Sequence, residues 1–430
     1  MKLNLILTVA CYEAKVLKRS WLLRLFALLA FVGITVLQIM TQSSWSITEH
    51  YMVALPSSMP FFNAYWFNLL QVFLLVFIVA DRFKSGKHVD TTESLRVRPV
   101  SNTDYLIGMA GGIFSVLVVL NVISILISLS LNIFVSEAPV NVWLYFFYLF
   151  TLTIPSCLFI LGVSILIYSW IKNAMLALLV LLVAVGLVYV FIPSAGYGIF
   201  DLFAREMPNM FSELTGHPEI GSYLLQRLTY VVWGVGLLGF AIVSYPRIPN
   251  GKKGKLKLCS GLILLSGILI GGIFVGAKEA DRRFRKHMVE TFEKYSARDR
   301  LYLSDAEITF EQSGTTMSVK SKLTVQNKEN HPVSEIVLFL NPALRIKEIR
   351  GESGEAISYR RDGQVVILEK NLAPEEEFSL QVDYTGKIDD RVCYLDISDE
   401  EYYDNRWITN IFCFGKRYAF FREGLYVAGA

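Results

Sequence analysis

The sequence predicts an α-helical polytopic membrane protein of about seven transmembrane helices, followed by a C-terminal extracytoplasmic all-β domain. Three observations carry that prediction. Of the 430 residues, 53% are hydrophobic and only 18% charged, where soluble domains hold about a quarter charged residues. Lys and Arg number 18 against 11 Asp and Glu up to residue 277, then 23 against 27 beyond it, so a net +7 becomes −4. From residue 301 the long apolar runs give way to alternation of apolar and polar residues, the period of a half-buried strand.

Residues 1–20 are expected to form a cytoplasmic amphipathic surface helix. The opening MKLNLILTVAC is similar to a secretory signal ending at Cys11, but its apolar stretch is short and Thr8 stands where a branched aliphatic is expected. A helix lying at the inner membrane surface fits better. Crossing the hydrocarbon core takes about 20 largely apolar residues, and seven stretches qualify: 21–40, 61–80, 105–135, 142–171, 174–192, 228–246 and 257–277. The segments 1–24, 81–104, 172–173 and 246–257 hold 5, 5, 1 and 5 basic residues, whereas 41–60, 136–141 and 193–227 hold 0, 0 and 2. Sixteen against two places the N-terminus in the cytoplasm, because basic loops stay there, and seven crossings put residues 278–430 outside. The six basic residues of 278–297, which opens with KEADRRFRKH after the last span, lower the contrast to 16 against 8 without reversing it. Lys172 and Asn173 alone join the fourth and fifth stretches; a re-entrant pair there reverses the sidedness of everything downstream.

Charge is nearly absent from these spans, with Arg24 at one edge. Ion-coupled transport keeps costly carboxylates or cations in the membrane for its task, so that class is disfavoured. Asn63, Asn68, Gln71, Asn121 and Asn132 are polar and uncharged. They admit two readings, hydrogen bonds between helices or, for Asn63, Asn68, Gln71 and Asn121, the lining of a substrate pathway.

Between the second and third spans lies DRFKSGKHVDTTESLRVRPVSNTDY. Asp90, Thr91 or Thr92 suits the N-cap of a short helix carrying Glu93, Ser94 and Leu95. Pro99 disfavours helix at Arg98 and ends it. Ser101, Asn102 or Thr103 suits the cap of the next span, with Asp104 set against its dipole. From the residues alone, a docking surface for a partner protein and a basic loop that only fixes topology weigh evenly. The layout of a surface helix, two spans, a capped cytoplasmic helix with RPVS, a span entered through YLIGMAGG, and a polar segment after the fifth span resembles the permease subunit of type-2 ATP-binding-cassette (ABC) exporters. The resemblance covers about residues 1–246, with a six-span permease-like domain at 21–246. It implies that Asp90, Thr91, Thr92, Glu93, Ser94, Arg96 and Arg98 form a coupling surface for a separate ABC ATPase subunit, and that FDLFAREMPNMFSELTGHPEIGSYLL at 200–225 forms short re-entrant or capping helices. It also implies a homodimer or a second permease subunit, a lipid bilayer around the spans, and ATP with Mg in the partner. This chain has no G-x-x-x-x-G-K-[ST] loop, the GKKGK at 251–255 having the wrong spacing, so no phosphate cradle of that kind is expected here.

Residues 247–277 add a seventh span, and 278–300, rich in both charges and free of Gly and Pro, read as a helical stalk. In the β-domain at 301–430, Met317, Val319, Leu323 and Val325 alternate with polar residues, as do Phe378, Leu380, Val382 and Tyr384, and Asp362-Gly363 marks a hairpin turn. LTVQNKENHPVSEIVLFLNPALRIKEIRG followed by LQVDYTGKIDD resembles the N-terminal β-domain of aminopeptidase N-type zinc metallopeptidases. That resemblance brings a β-fold and no catalytic residue, because the family's H-E-x-x-H helix is missing from the sequence. His50, His88, His217, His287 and His331 are never at i, i+4 spacing, which leaves a zinc-held water without its usual ligands. A membrane-anchored aminopeptidase-like module, or a fragment of a permease-peptidase fusion, is the alternative reading.

No catalytic or metal-binding residue and no cofactor in this chain is expected, and enzymatic activity is assigned to the ATPase partner. Cys393 and Cys413 share the polar C-terminal part, and their pairing in an oxidising compartment stays open. The aromatic EEYYDNRWITNIFCFGKRYAFF suits a core or interface as well as a binding platform. A net charge of −4 beyond residue 277 disfavours a nucleic-acid partner there. The fusion type points to a bacterial inner membrane.

Overall fold

The computed structural model describes residues 3–42, 56–85, 101–136, 139–171, 173–190, 195–204, 211, 217, 219–245, 253–296, 298–299, 301–314, 316–389 and 425–427. It divides into two compact units, one built on residues up to Gly276 and the other on residues from Ala277.

The first unit is helical. α1 spans Leu3–Arg19, α2 Trp21–Gln42, α3 Ser58–Ser85, α4 Asn102–Phe134, α5 Val142–Tyr148, α6 Ile154–Trp170, α7 Ala174–Val190, α8 Ile220–Ser244 and α9 Lys253–Ser296. A π-turn, Leu149–Thr153, joins α5 to α6, and there the Ile154 N–H reaches back to the Leu149 carbonyl. Pro155 follows at the start of α6 without an N–H to donate, and a widened turn of this kind absorbs the missing bond. Among the described residues, six helices are long and apolar enough to cross a membrane: Trp21–Met40, Ser58–Lys84, Asn102–Phe134, Val142–Trp170, Ile220–Ser244 and Gly254–Tyr295.

Several expectations change at this point. The 174–192 stretch forms α7, a helix of 17 residues, which at 1.5 Å per residue is about 25 Å long against a core of about 30 Å. Among the described residues, six long helices and one shorter helix therefore stand where seven full spans were expected. Asn173 fixes the start of α7, its Oδ1 accepting from the Met175 and Leu176 amides at 3.0 and 3.3 Å. α8 begins at Ile220, eight residues before the expected 228. Its first turns carry Tyr223, Gln226 and Arg227, polar groups that lower the local hydropathy yet are buried. Residues 195–204 are a succession of turns and not helices. The seventh span and the stalk are one helix, α9, in which Glu279–Arg283 at 2.9 Å is an ion pair at helical spacing.

Helix packing in this unit relies on close backbone approach. A Cβ at Gly162 of α6 would lie 2.5 Å from the Gly234 carbonyl oxygen of α8, and one at Gly234 would lie 2.7 Å from the Leu158 carbonyl. The two glycines let α6 and α8 touch backbone to backbone, the usual solution where lipid tails remove the hydrophobic drive for association. α7 packs on α3 with Ala177, Leu181 and Val185, one side of the helix at i, i+4, i+8.

The second unit is a β-sandwich. One sheet has the order β1 (Tyr302–Ser313), β2 (Thr316–Gln326), β7 (Glu377–Gly386), β4 (Arg345–Gly351); the other has β5 (Tyr359–Asp362), β6 (Val365–Leu372), β3 (Val333–Leu340), β8 (Leu425–Val427). All pairings are antiparallel. The alternation in the sequence falls in register: Val319 opposes Tyr384, Leu323 opposes Leu380 and Val325 opposes Phe378, and all six face the core. Asp362 pairs with Val365, leaving Gly363 and Gln364 as a two-residue turn with Gly363 at φ 57°, the left-handed conformation such hairpins require. From Ile336 to Leu340, β3 reads as an unbroken apolar run because it is buried on both faces there. Ile336, Leu338 and Leu340 enter the sandwich core, while Val337 and Phe339, with Val365 and Ile367, are covered by Phe292 and Tyr295 of α9.

Candidate functional site

The seven residues expected to couple to an ATPase, Asp90, Thr91, Thr92, Glu93, Ser94, Arg96 and Arg98, lie outside the described residues, as do Cys393 and Cys413. The described residues do define what holds the two ends of their loop. α3 brings the chain to Ser85 and α4 takes it up again from Asn102.

On the α3 side, Arg82 projects toward α1. Its Nε lies 2.8 Å from Glu13 Oε2, and its Nη2 donates to Glu13 Oε1 at 3.4 Å. The Arg82 side chain is 15% exposed and that of Glu13 3%. Burial raises the Glu13 carboxyl above its ordinary range, and the guanidinium opposes that rise only in part. One carboxylate in a helix whose other charges are basic is thus accounted for: it ties α1 to the end of α3.

On the α4 side, Ser101 is the N-cap. Its Oγ accepts from the Asp104 amide at 3.1 Å and its hydroxyl donates to Asp104 Oδ2 at 2.7 Å, a reciprocal arrangement that satisfies a free amide at the helix start. α1 lies directly against this helix. A Cβ on Gly108 would meet Val9 Cβ at 2.7 Å, and one on Gly112 would meet the Ala10 carbonyl oxygen at 2.7 Å and Glu13 Cβ at 2.8 Å. The glycines of YLIGMAGG are therefore the seat of α1. Asn102 Nδ2 donates to the Tyr245 carbonyl at 3.1 Å. Tyr245 stacks with Tyr105 at 6.1 Å and meets Phe83 edge-on at 6.0 Å, and Phe83 stacks with Tyr168 at 5.5 Å. This aromatic group joins the ends of α3, α4, α6 and α8 on the side of the loop.

Asn63, Asn68, Gln71 and Asn121 are buried inside the helical unit. Gln71 Nε2 donates to Asn68 Oδ1 at 3.1 Å, and Asn121 Nδ2 to Gln71 Oε1 at 2.7 Å. Asn63 Oδ1 accepts from Ser124 Oγ at 2.8 Å and from Gln38 Nε2 at 3.3 Å, and Gln38 also donates to Ser128 Oγ at 3.0 Å. Three helices, α2, α3 and α4, are tied by these bonds.

The expectation that charge stops at Arg24 is corrected by Arg227. It is buried in α8, its Nη1 donates to the Leu202 carbonyl at 2.8 Å and its Nη2 to that of Asp201 at 2.6 Å. The neighbouring Gln226 Nε2 donates to the Gly198 and Asp201 carbonyls at 2.7 and 3.0 Å, and Tyr230 Oη to that of Ile199 at 3.0 Å. These bonds satisfy the carbonyls of the 195–204 turns, which have no helix of their own to bond within. The rings of Tyr223 and Tyr230 lie 5.5 and 5.3 Å from the guanidinium, close enough for cation–π attraction. Sequence reading left Arg227 one residue outside its span; the signal available was its helical spacing with Tyr223, four residues before it, and Tyr230, three after it.

Among the described residues, no group of three or more His, Cys, Asp or Glu side chains is placed to hold a metal ion. No protein-family model matches the chain, and no curated protein matches it. Among solved structures, an M1 zinc metallopeptidase from Deinococcus radiodurans and its mutant bound to a Tyr-Ser-Ala substrate each align at 22% identity, over 20% of this chain and 21% of that chain, with a TM-score of 0.19. The match is a weak one that spans about a fifth of the metallopeptidase's length, and nothing of that enzyme's activity is carried over from it.

Proposed function

We propose that this chain is the permease subunit of an ATP-driven exporter of a bacterial inner membrane, coupled to a separate ABC ATPase through the 90–104 segment. The observation that carries this reading is the double grip of α1 on the loop's two flanks. Glu13 holds Arg82 at one end, and Ala10 and Glu13 sit on Gly112 at the other. A push on the loop is thereby delivered at once to α1, α3 and α4, and through Phe83, Tyr105, Tyr168 and Tyr245 to α6 and α8. Nucleotide binding biases such a device only if the partner touches the loop differently in its two nucleotide states.

On this reading Asp90, Thr91, Thr92, Glu93, Ser94, Arg96 and Arg98 meet the ATPase, which binds ATP and Mg. A second copy or a second permease completes the pathway, the N-terminus is cytoplasmic, and, with the shorter α7 as the seventh crossing, the β-sandwich receives or gates substrate outside. The test is a mild-detergent purification of the intact chain from its host beside a triple variant, Glu93→Ala, Arg96→Ala and Arg98→Ala, with co-purifying proteins identified by mass spectrometry. An ABC ATPase that accompanies the native chain and is depleted from the variant is the expected result. Its absence from both overturns the proposal.

A further inference from the structure

We propose that strand β1 is a docking edge for an extended polypeptide segment in which basic and apolar residues alternate. This inference rests on the β-sandwich alone and stands whether or not the exporter reading does.

β1 runs for 12 residues at the border of its sheet, and among the described residues it pairs only with β2. A border of this length that no described strand pairs offers a row of backbone donors and acceptors to another strand, and natural proteins normally blunt such borders. The two faces of β1 differ in chemistry. Ala306, Ile308 and Phe310 oppose Leu323, Ser321 and Val319 of β2, and those three partners are buried on the core side. The core face therefore continues onto β1, but there Ile308 is 42% and Phe310 65% exposed, an apolar row that no described residue covers. On the opposite face, Asp305, Glu307 and Glu311 form an exposed acidic row with Thr309 between them, with Lys322 and Lys320 of β2 opposite Glu307 and Thr309 on the inner side and the outer side open to a further strand.

Charge selects the occupant. A second copy of β1, laid parallel or antiparallel on this border with its apolar row continuing the same face, sets carboxylates against carboxylates, which is destabilising for directly opposed strands. A segment with Lys or Arg at every second position sets opposite charges along the acidic row. Its intervening apolar residues extend the Ile308 and Phe310 row. This is strand addition with backbone bonds for affinity and alternate side chains for selectivity.

The experiment uses the full chain in detergent and fluorescent synthetic peptides read by anisotropy. A peptide alternating Lys and Val is expected to bind saturably, with its Glu and Val counterpart about tenfold weaker. A Lys and Gly peptide of equal charge, with two N-methylated backbone positions, controls for charge alone. Phe310→Lys, at an exposed position, places a charge in the apolar row and is expected to abolish binding. Glu307→Lys with Glu311→Lys leaves that row intact and is expected to reverse the peptide preference, which distinguishes lost docking from lost folding. Equal binding of the N-methylated control, or no effect of either variant, overturns the proposal. So does a wild-type dimer, seen by sedimentation, that Phe310→Lys dissolves, since a second copy is then the occupant.

Discussion

Replacing Glu13 by Ala tests the link between α1 and the end of α3. The change strands a guanidinium that is only 15% exposed. Removing one partner of a fully buried ion pair costs about 3–5 kcal/mol. Residual exposure of Arg82 lets water take part of the charge, so about 2 kcal/mol is expected here, a roughly 30-fold change in the folded ratio. Arg82→Met exposes the same coupling from the other side, leaving a buried carboxylate. The double variant Glu13→Leu with Arg82→Met is expected to be neutral or stabilising, because the raised carboxyl indicates that burial outweighs the attraction to Arg82. The measurement is denaturant-induced unfolding of the detergent-solubilised chain for all four members of the cycle. Single variants that each cost less than about 0.5 kcal/mol and add without coupling would refute the latch.

Three further outcomes are expected. Gly112→Leu drives a side chain into the Ala10 carbonyl and Glu13; α1 is displaced, which protease accessibility near Arg19 reports, while the β-sandwich melts unchanged. Arg227→Lys replaces a fork that serves the Leu202 and Asp201 carbonyls by a single ammonium, removing one charged donor from carbonyls that Ser156 and Gln226 still serve, at a cost of about 1 kcal/mol, and hydrogen exchange at 195–204 rises. Asp362 accepts from Lys294 and Tyr295, which hold its carboxyl below the usual 3.8; this depressed value gives stability that is present above pH 3.8 and lost as pH falls through the lower folded value, so acid melting of the β-unit shifts toward neutrality in Asp362→Ala.

Much of the architecture is legible in the residues. The cap at Ser101 with Asp104, the inward row of Val319, Leu323 and Val325, and the turn at Gly363 follow from local rules that tertiary context leaves in place. Span borders were less legible where polar residues enter a helix. Tyr223, Gln226 and Arg227 lower the hydropathy at the start of α8, and their burial depends on Thr151 for Tyr223 and on the carbonyls of the 195–204 turns for Gln226 and Arg227. The short α7 and the fusion of span and stalk in α9 escaped for a related reason, since hydropathy records composition and not where a helix is capped.

By itself the sequence determined the two-part character of this protein, a run of apolar helices and then a β-sandwich, because burying apolar groups and satisfying backbone bonds leaves few alternatives for such patterns. Tertiary structure alone decided which groups meet. Glu13 and Arg82 are 69 residues apart, and Arg227 is 25 residues from Leu202. Neither pair has a local signature, because an ion pair or a carbonyl cradle depends on distance in space, and that distance exists only after the helices have packed.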